Sequence, residues 1–435
     1  MTLLEDEALR FVRDLIRIDS VNTGDPATIG DGETRAARLV QAALEELGIE
    51  TVFVEPVPGR GSVVARLRGS DPDAGALIVH AHVDVVPVQA EDWTHDPFGA
   101  EIEDGILYGR GAVDMKDYAG VILACARHFV REGIVPRRDL IFVFLADEES
   151  GGTWGASWLV DHRPELFAGA TEAVSEVGGF SVPLGDGRRA YLLATAEKGV
   201  GSAAITARGD AGHASRPLPS DPVTRLAGAV SRIGEHRFPV VRTPALARFL
   251  DAFGAARGVT FTDDDFDTQV DDLGFVGKVI AASARNTVAP TILRAGGKTN
   301  IIPGTAEAIV DLRAVPDGED DMRAGVEELA GDGVEVTWRD SRSPIAAPVD
   351  GPLPDAAAQA IAAADPDGVV VPYLLPASTD NKHFARLGVA GYGFVPLRVP
   401  DDFDVYGQFH AADECVPVES LRFSARVTAD ILRRA

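Results

Sequence analysis

A chain of 435 residues with 46% apolar side chains is long enough for two domains, each with a substantial core. Its 67 acidic against 41 basic residues give a formal net charge of -26, which repels nucleic-acid phosphates and anionic membrane surfaces alike. Two cysteines, Cys125 and Cys415, support neither a disulfide framework nor a thiolate zinc site, so any metal must be held by His and carboxylate.

In chain order, residues 1–10 are acidic and amphipathic, unlike a secretory signal, and no run of about 18 apolar residues follows anywhere, so a cytoplasmic protein is expected. Apolar residues at helical spacing predict helices over 3–18 and 34–47, the second stopped by Gly48. Strands are predicted over 51–55, 62–67 and 77–84, then a helix over 118–132 and a fully buried strand over 140–146. A weaker strand, 170–174, runs into Glu176 and the glycines 178 and 179. This alternation predicts a mixed or parallel α/β sheet flanked by helices, whose sites belong at the carboxyl ends of the strands.

The pattern changes after Gly199: strand 201–208, helix 221–233, strands 290–295 and 306–312, helix 322–330 and strand 334–339. That is the order of a ferredoxin-like α+β sandwich, expected as an inserted domain over 199–342 between catalytic segments 1–198 and 343–435. Residues 236–286 are left over and have no predicted place in either unit. The first unit then resumes with helix 354–364, strand 369–374, a helix after Asp380, strand 390–394 and a closing helix 420–434.

Chemistry concentrates at the predicted strand ends. His82 and Asp84 alternate onto one face of their strand, and a metal-bound imidazole commonly gives its other N–H to a carboxylate, which favours His82 as a ligand with Asp84 orienting it. His80 is read as a packed strand histidine. The acids Asp147, Glu148 and Glu149 follow a buried strand, where they are costly unless something cationic meets them. With Asp114 in a glycine-bracketed turn, Glu176 and His410, the candidate ligands are His82, Asp114, Glu149, Glu176 and His410. Zinc accepts this N/O set, and a carboxylate shared by two ions permits a water between them. Asp114 is the expected bridge, leaving His82 and Glu176 for one ion, and Glu149 and His410 for the other. Glu148 is the expected general base.

These residues, with Trp93, the Asp96-Pro97-Phe98 run, the Asp104 to Lys116 stretch and the Glu176-x-Gly-Gly turn, resemble the co-catalytic zinc aminoacylase and carboxypeptidase family. That family includes acetylornithine deacetylase, succinyl-diaminopimelate desuccinylase, aminoacylase and glutamate carboxypeptidase. The resemblance covers nearly the whole chain. It implies a zinc-hydrolase catalytic domain with an inserted dimerisation (lid) domain, and two divalent metal ions, zinc first, with cobalt or manganese also admitted. It implies a homodimer in which His213, within the 209–217 motif, polarises the scissile carbonyl in the partner's site. It also marks Asn300, Arg313 and Thr379, with Asp380 beside it, as substrate-binding. The expected substrate is an N-acyl amino acid or a short peptide, with deacylase, dipeptidase and catalytically silent binding all open.

Overall fold

The computed structural model describes residues 3–216, 219 and 221–435; Met1 and Pro217, both within stretches used above, lie outside them. The organising strand is Ala76–His82, buried along its whole length. Its period of two sends Leu77, Val79 and Ala81 into one apolar cluster and Ala76 and Ile78 into another, on opposite faces of the sheet. The neighbouring strand Leu140–Leu145 divides the same way, with Phe142 and Phe144 on one side and Val143 and Leu145 on the other.

Ala76–His82 pairs in parallel with Leu140–Leu145 on one side and with Ala170–Ser175 on the other. Thr51–Val54 and Ser62–Leu67 extend the sheet antiparallel beyond the first, while Ala390–Gly393 and Arg188–Glu197 extend it beyond the second. Three adjacent parallel strands therefore end side by side, and they deliver His82, the Asp147 to Glu149 turn and Glu176 to one rim. Helices Leu3–Ile16, Lys116–Arg131 and Val418–Arg434 cover one face, burying Phe11, Leu15, Tyr118, Ile122 and Leu421. The first helix stops at Ile16, short of the predicted end, and the chain then runs to the sheet rim, where Ser20 Oγ donates to Val83 O at 2.6 Å. Asp84 likewise lies beyond the end of its strand.

The inserted unit is a four-stranded antiparallel sheet ordered Thr287–Ala295, Thr305–Ala314, Gly199–Arg208, Val334–Arg342. Helices Pro222–Glu235 and Glu319–Ala330 pack on it through Leu226, Ala229, Ile233, Met322 and Val326. This is the ferredoxin-like arrangement anticipated from element order. Residues 236–286 form helices Pro244–Arg257, Phe266–Asp271 and Phe275–Ser283. Although they fall between two strands of the inserted sheet, their Leu246, Phe249, Phe253 and Ile280 join the core that holds Tyr191, Val371 and Leu375 of the large sheet. No described helix is long and apolar enough to cross a membrane.

Candidate metal centre

The strand ends and two loops bring five residues into two groups that share one carboxylate. His82, Asp114 and Glu176 form one and Asp114, Glu149 and His410 the other, each with ligand-type atoms all within 4.8 Å of one another. His82 Nε2 is 3.1 Å from Asp114 Oδ1 and 3.5 Å from Glu176 Oε2. On the other side of Asp114, His410 Nε2 is 3.2 Å from Oδ2 and 3.5 Å from Glu149 Oε2. His82 Nδ1 faces Asp84, nearer its backbone carbonyl (3.0 Å) than its carboxylate (3.5 Å). Donation from Nδ1 leaves Nε2 turned to the acids, so the orientation expected from the Asp84 side chain comes first from its main chain.

The Asp84 carboxylate has a different set of partners. It accepts from Asn22 Nδ2 at 2.9 Å and from the backbone N–H groups of Glu148 (3.2 Å) and Glu149 (3.1 Å), and so fixes the turn that carries both acids. Two of its three acids meet cations. Asp147 lies 3.3 Å from Arg60 Nε, and Nη1 of the same guanidinium pairs with Glu33. Glu148 Oε1 is 3.5 Å from Lys382 Nζ. The turn closes through Gly151 and Gly152 at φ +92° and +72°, where a side chain would be strained and a Cβ on Gly152 would lie 2.5 Å from Asp380 Oδ1.

Asp114 is held by Glu414. This buried carboxylate accepts from Arg110 Nη1 (2.7 Å) and from the backbone N–H groups of Gly111 (3.0 Å), Val113 (2.7 Å) and Asp114 (3.0 Å). Since Glu414 sits four residues after His410, one loop sets the position of both.

The electrostatics match a site built for cations. Burial, reinforced by the negative charge of Asp114, pushes Glu149 up to about 8. Burial does the same to Glu176, also to about 8, against the pull of His82. Hydrogen bonds to Asp114 and Glu149 raise His410 to about 10. Burial opposes protonation of His82, yet the carboxylates of Glu176 and Asp114 carry it well above the usual imidazole range. Glu149 Oε1 is buried with no hydrogen-bond partner among the described residues, an acceptor that a divalent ion would satisfy.

His80 stays apart from both groups: its Nε2 is 2.9 Å from Asn381 Oδ1, its ring packs on Phe384, and burial lowers it to about 4. Thr379 is buried, with Oγ1 donating to Glu197 Oε1 at 2.6 Å and its N–H to Oε2 at 2.8 Å. His213, Asn300 and Arg313 lie on the inserted unit, and no hydrogen bond or ion pair among the described residues joins them to the five. His213 is exposed on the short strand Gly212–His213, paired with Ile301–Ile302. Its Nδ1 accepts from Ser215 N at 3.2 Å, which places the ring proton on Nε2. Arg313 forks onto Asp311 at 2.8 and 3.2 Å. Sequence reasoning passed over Asn22, Arg60, Lys382 and Glu414; only the three-acid run, which demands counter-charges, hinted at Arg60 and Lys382.

The sequence pattern of peptidase family M20/M25/M40 matches residues 78–434. Human aminoacylase-1 is 27% identical over 371 residues, covering 83% of this chain and 82% of that protein. Among solved structures, an M20 family metallo-carboxypeptidase from Sulfolobus solfataricus superposes with a TM-score of 0.72 at 18% identity, covering 99% of both chains. A dinuclear metal binding peptidase of the same family from Bacillus subtilis gives 0.63 at 15% identity, over 99% of this chain and 97% of that one. With the match spanning His82, Asp114, Glu148, Glu149, Glu176 and His410, the chain belongs to peptidase family M20/M25/M40 and is a metallo-hydrolase of that family.

Proposed function

We propose that this protein hydrolyses an amide bond standing next to a carboxylate, in an N-acyl amino acid or a short peptide. The observation that carries this reading is the pair of three-residue groups sharing Asp114, with Glu148 adjoining Glu149 and anchored through its N–H on Asp84. Two divalent ions, zinc first, with cobalt or manganese also suited to N/O donors, would be held by His82 and Glu176, by Glu149 and His410, and by the shared Asp114, and would lower the pKa of water and polarise a carbonyl. Glu148 takes the proton from the attacking water and returns it to the leaving nitrogen, while Lys382 orients its carboxylate.

His213, Asn300 and Arg313 approach the substrate from the inserted unit, and Thr379 does so from the loop that precedes Lys382. His213 can donate through Nε2, and we place it in a partner subunit's site. The edge strand Thr287–Ala295 supports such pairing: one side has no neighbour among the described residues, and Leu293 is 61% exposed.

The test is a screen of metal-loaded protein against acetyl- and succinyl-amino acids and dipeptides. Turnover of at least one class is expected, lost on chelation and restored by metal, from a species sedimenting at about twice 45.9 kDa. Chelator-insensitive turnover, or none with any of the three metals, would overturn the reading; a monomer would remove the role of His213 in the partner's site.

Metal uptake should also release protons. Without metal, Glu149 and Glu176 are held up to about 8 and His410 to about 10, so at neutral pH they carry protons that ligation must displace. Apparent affinity therefore rises with pH and levels off only above these values. Calorimetric titration of metal in buffers of different ionisation enthalpy reads the protons directly, and an affinity flat from pH 6 to 8 would contradict the assignment.

A further inference from the structure

A cleft of about 500 Å³ opens between the two units beside the metal centre, lined among others by Gly151, Arg342, Ser343, Lys382, His383 and Arg386. In a chain of net charge -26, none of the described residues lining it is acidic. Its cations are not equivalent. Arg386 is neutralised by Asp161 and also donates to Ser157. His383 Nε2 lies 3.2 Å from Gly151 O, and burial keeps its ring neutral. Lys382 reaches one carboxylate, Glu148, at 3.5 Å. Arg342, the last residue of its strand, is exposed, and its side chain has no hydrogen bond or ion pair among the described residues.

Arg342 is nonetheless seated. It lies against Gly151, where a Cβ would come within 2.7 Å of one guanidinium nitrogen, so the glycine that closes the Glu148 turn also makes room for the fork. A guanidinium without a partner among the described residues and a lysine beside the Glu148 carboxylate thus share a wall on which no described residue is acidic. Paired N–H donors of this kind suit a carboxylate, and clefts between packed units are where small ligands commonly bind.

We propose that this cleft is a carboxylate subsite of the active centre, with Arg342 as its anchor and Lys382 as its second cation. It rests on the amide-hydrolase reading and sharpens it: substrates carrying a carboxylate placed to reach Arg342 are preferred. That carboxylate has two possible sources, the α-carboxylate of the amino-acid part or an acid on the acyl part, and the experiment separates them.

Binding is measured by calorimetry on metal-loaded protein carrying Glu148→Ala, so that nothing is turned over, with and without Arg342→Gln. Because both proteins share the first change, its effect on Lys382 cancels. The ligands form two pairs: N-acetylalanine against its amide, and N-succinylalanine against N-butyrylalanine. With Arg342 present, losing the relevant carboxylate weakens binding about tenfold, as expected for a charge-assisted hydrogen bond at a solvated site. Without it, that difference shrinks to less than about threefold in one pair, which identifies the source. If both pairs discriminate equally with and without Arg342, the subsite is wrong while the hydrolase reading stands. If no ligand binds either protein, both fall.

Discussion

Changing Glu148 to alanine should lower kcat by about 10²- to 10⁴-fold while leaving both metals in place, the range general acid–base catalysis contributes. The geometry separates the two effects. Glu148 lies outside both ligand groups, and its contacts are Lys382 through the side chain and Asp84 through the N–H. The backbone N–H remains in the variant, so the turn that positions Glu149 stays anchored. Steady-state kinetics with elemental analysis of the same preparation reads both quantities. Near-normal turnover would remove Glu148 from the mechanism, and loss of metal would make it a ligand.

Asp114→Ala should have the complementary outcome, with metal content falling from about two ions per chain toward none, because each group loses one of only three protein ligands. His82→Ala removes a ligand from one group alone and should spare the pair Glu149 and His410. Circular dichroism would show the fold retained in both variants, since Glu414 grips the Asp114 loop through backbone N–H groups that neither change removes. Wild-type stoichiometry in Asp114→Ala would end the case for a shared carboxylate.

Much of the large sheet was legible because its signals are local. The apolar runs ending at Leu145 and covering Leu77 to Val79 announce buried strands, and the polar residues just beyond them announce a rim. The same locality explains the ferredoxin-like order of the insertion. Boundaries near the site were less readable: the first helix ends at Ile16 and the central strand at His82, since Ser20 and Asp84 take up contacts with residues far away in sequence.

Other features had no local signature at all. Leu246, Phe249 and Phe253 lie in a stretch with no predicted place, and nothing in it says that it covers the large sheet and not the inserted one. Glu414 reads as one more acid near the C-terminus, yet it sits in the loop of Arg110 and Asp114, some 300 residues earlier.

The sequence alone determined which side chains stand at the strand ends and in the glycine turns, because period, apolar runs and punctuation by glycine are properties of neighbours along the chain. Only the tertiary structure decided how they meet. It gave Asp114 a histidine on each side, turned His82 by the carbonyl of Asp84, and set the Arg342 guanidinium against Gly151. Those are matters of distance between segments far apart in sequence, and strand register and loop packing set them.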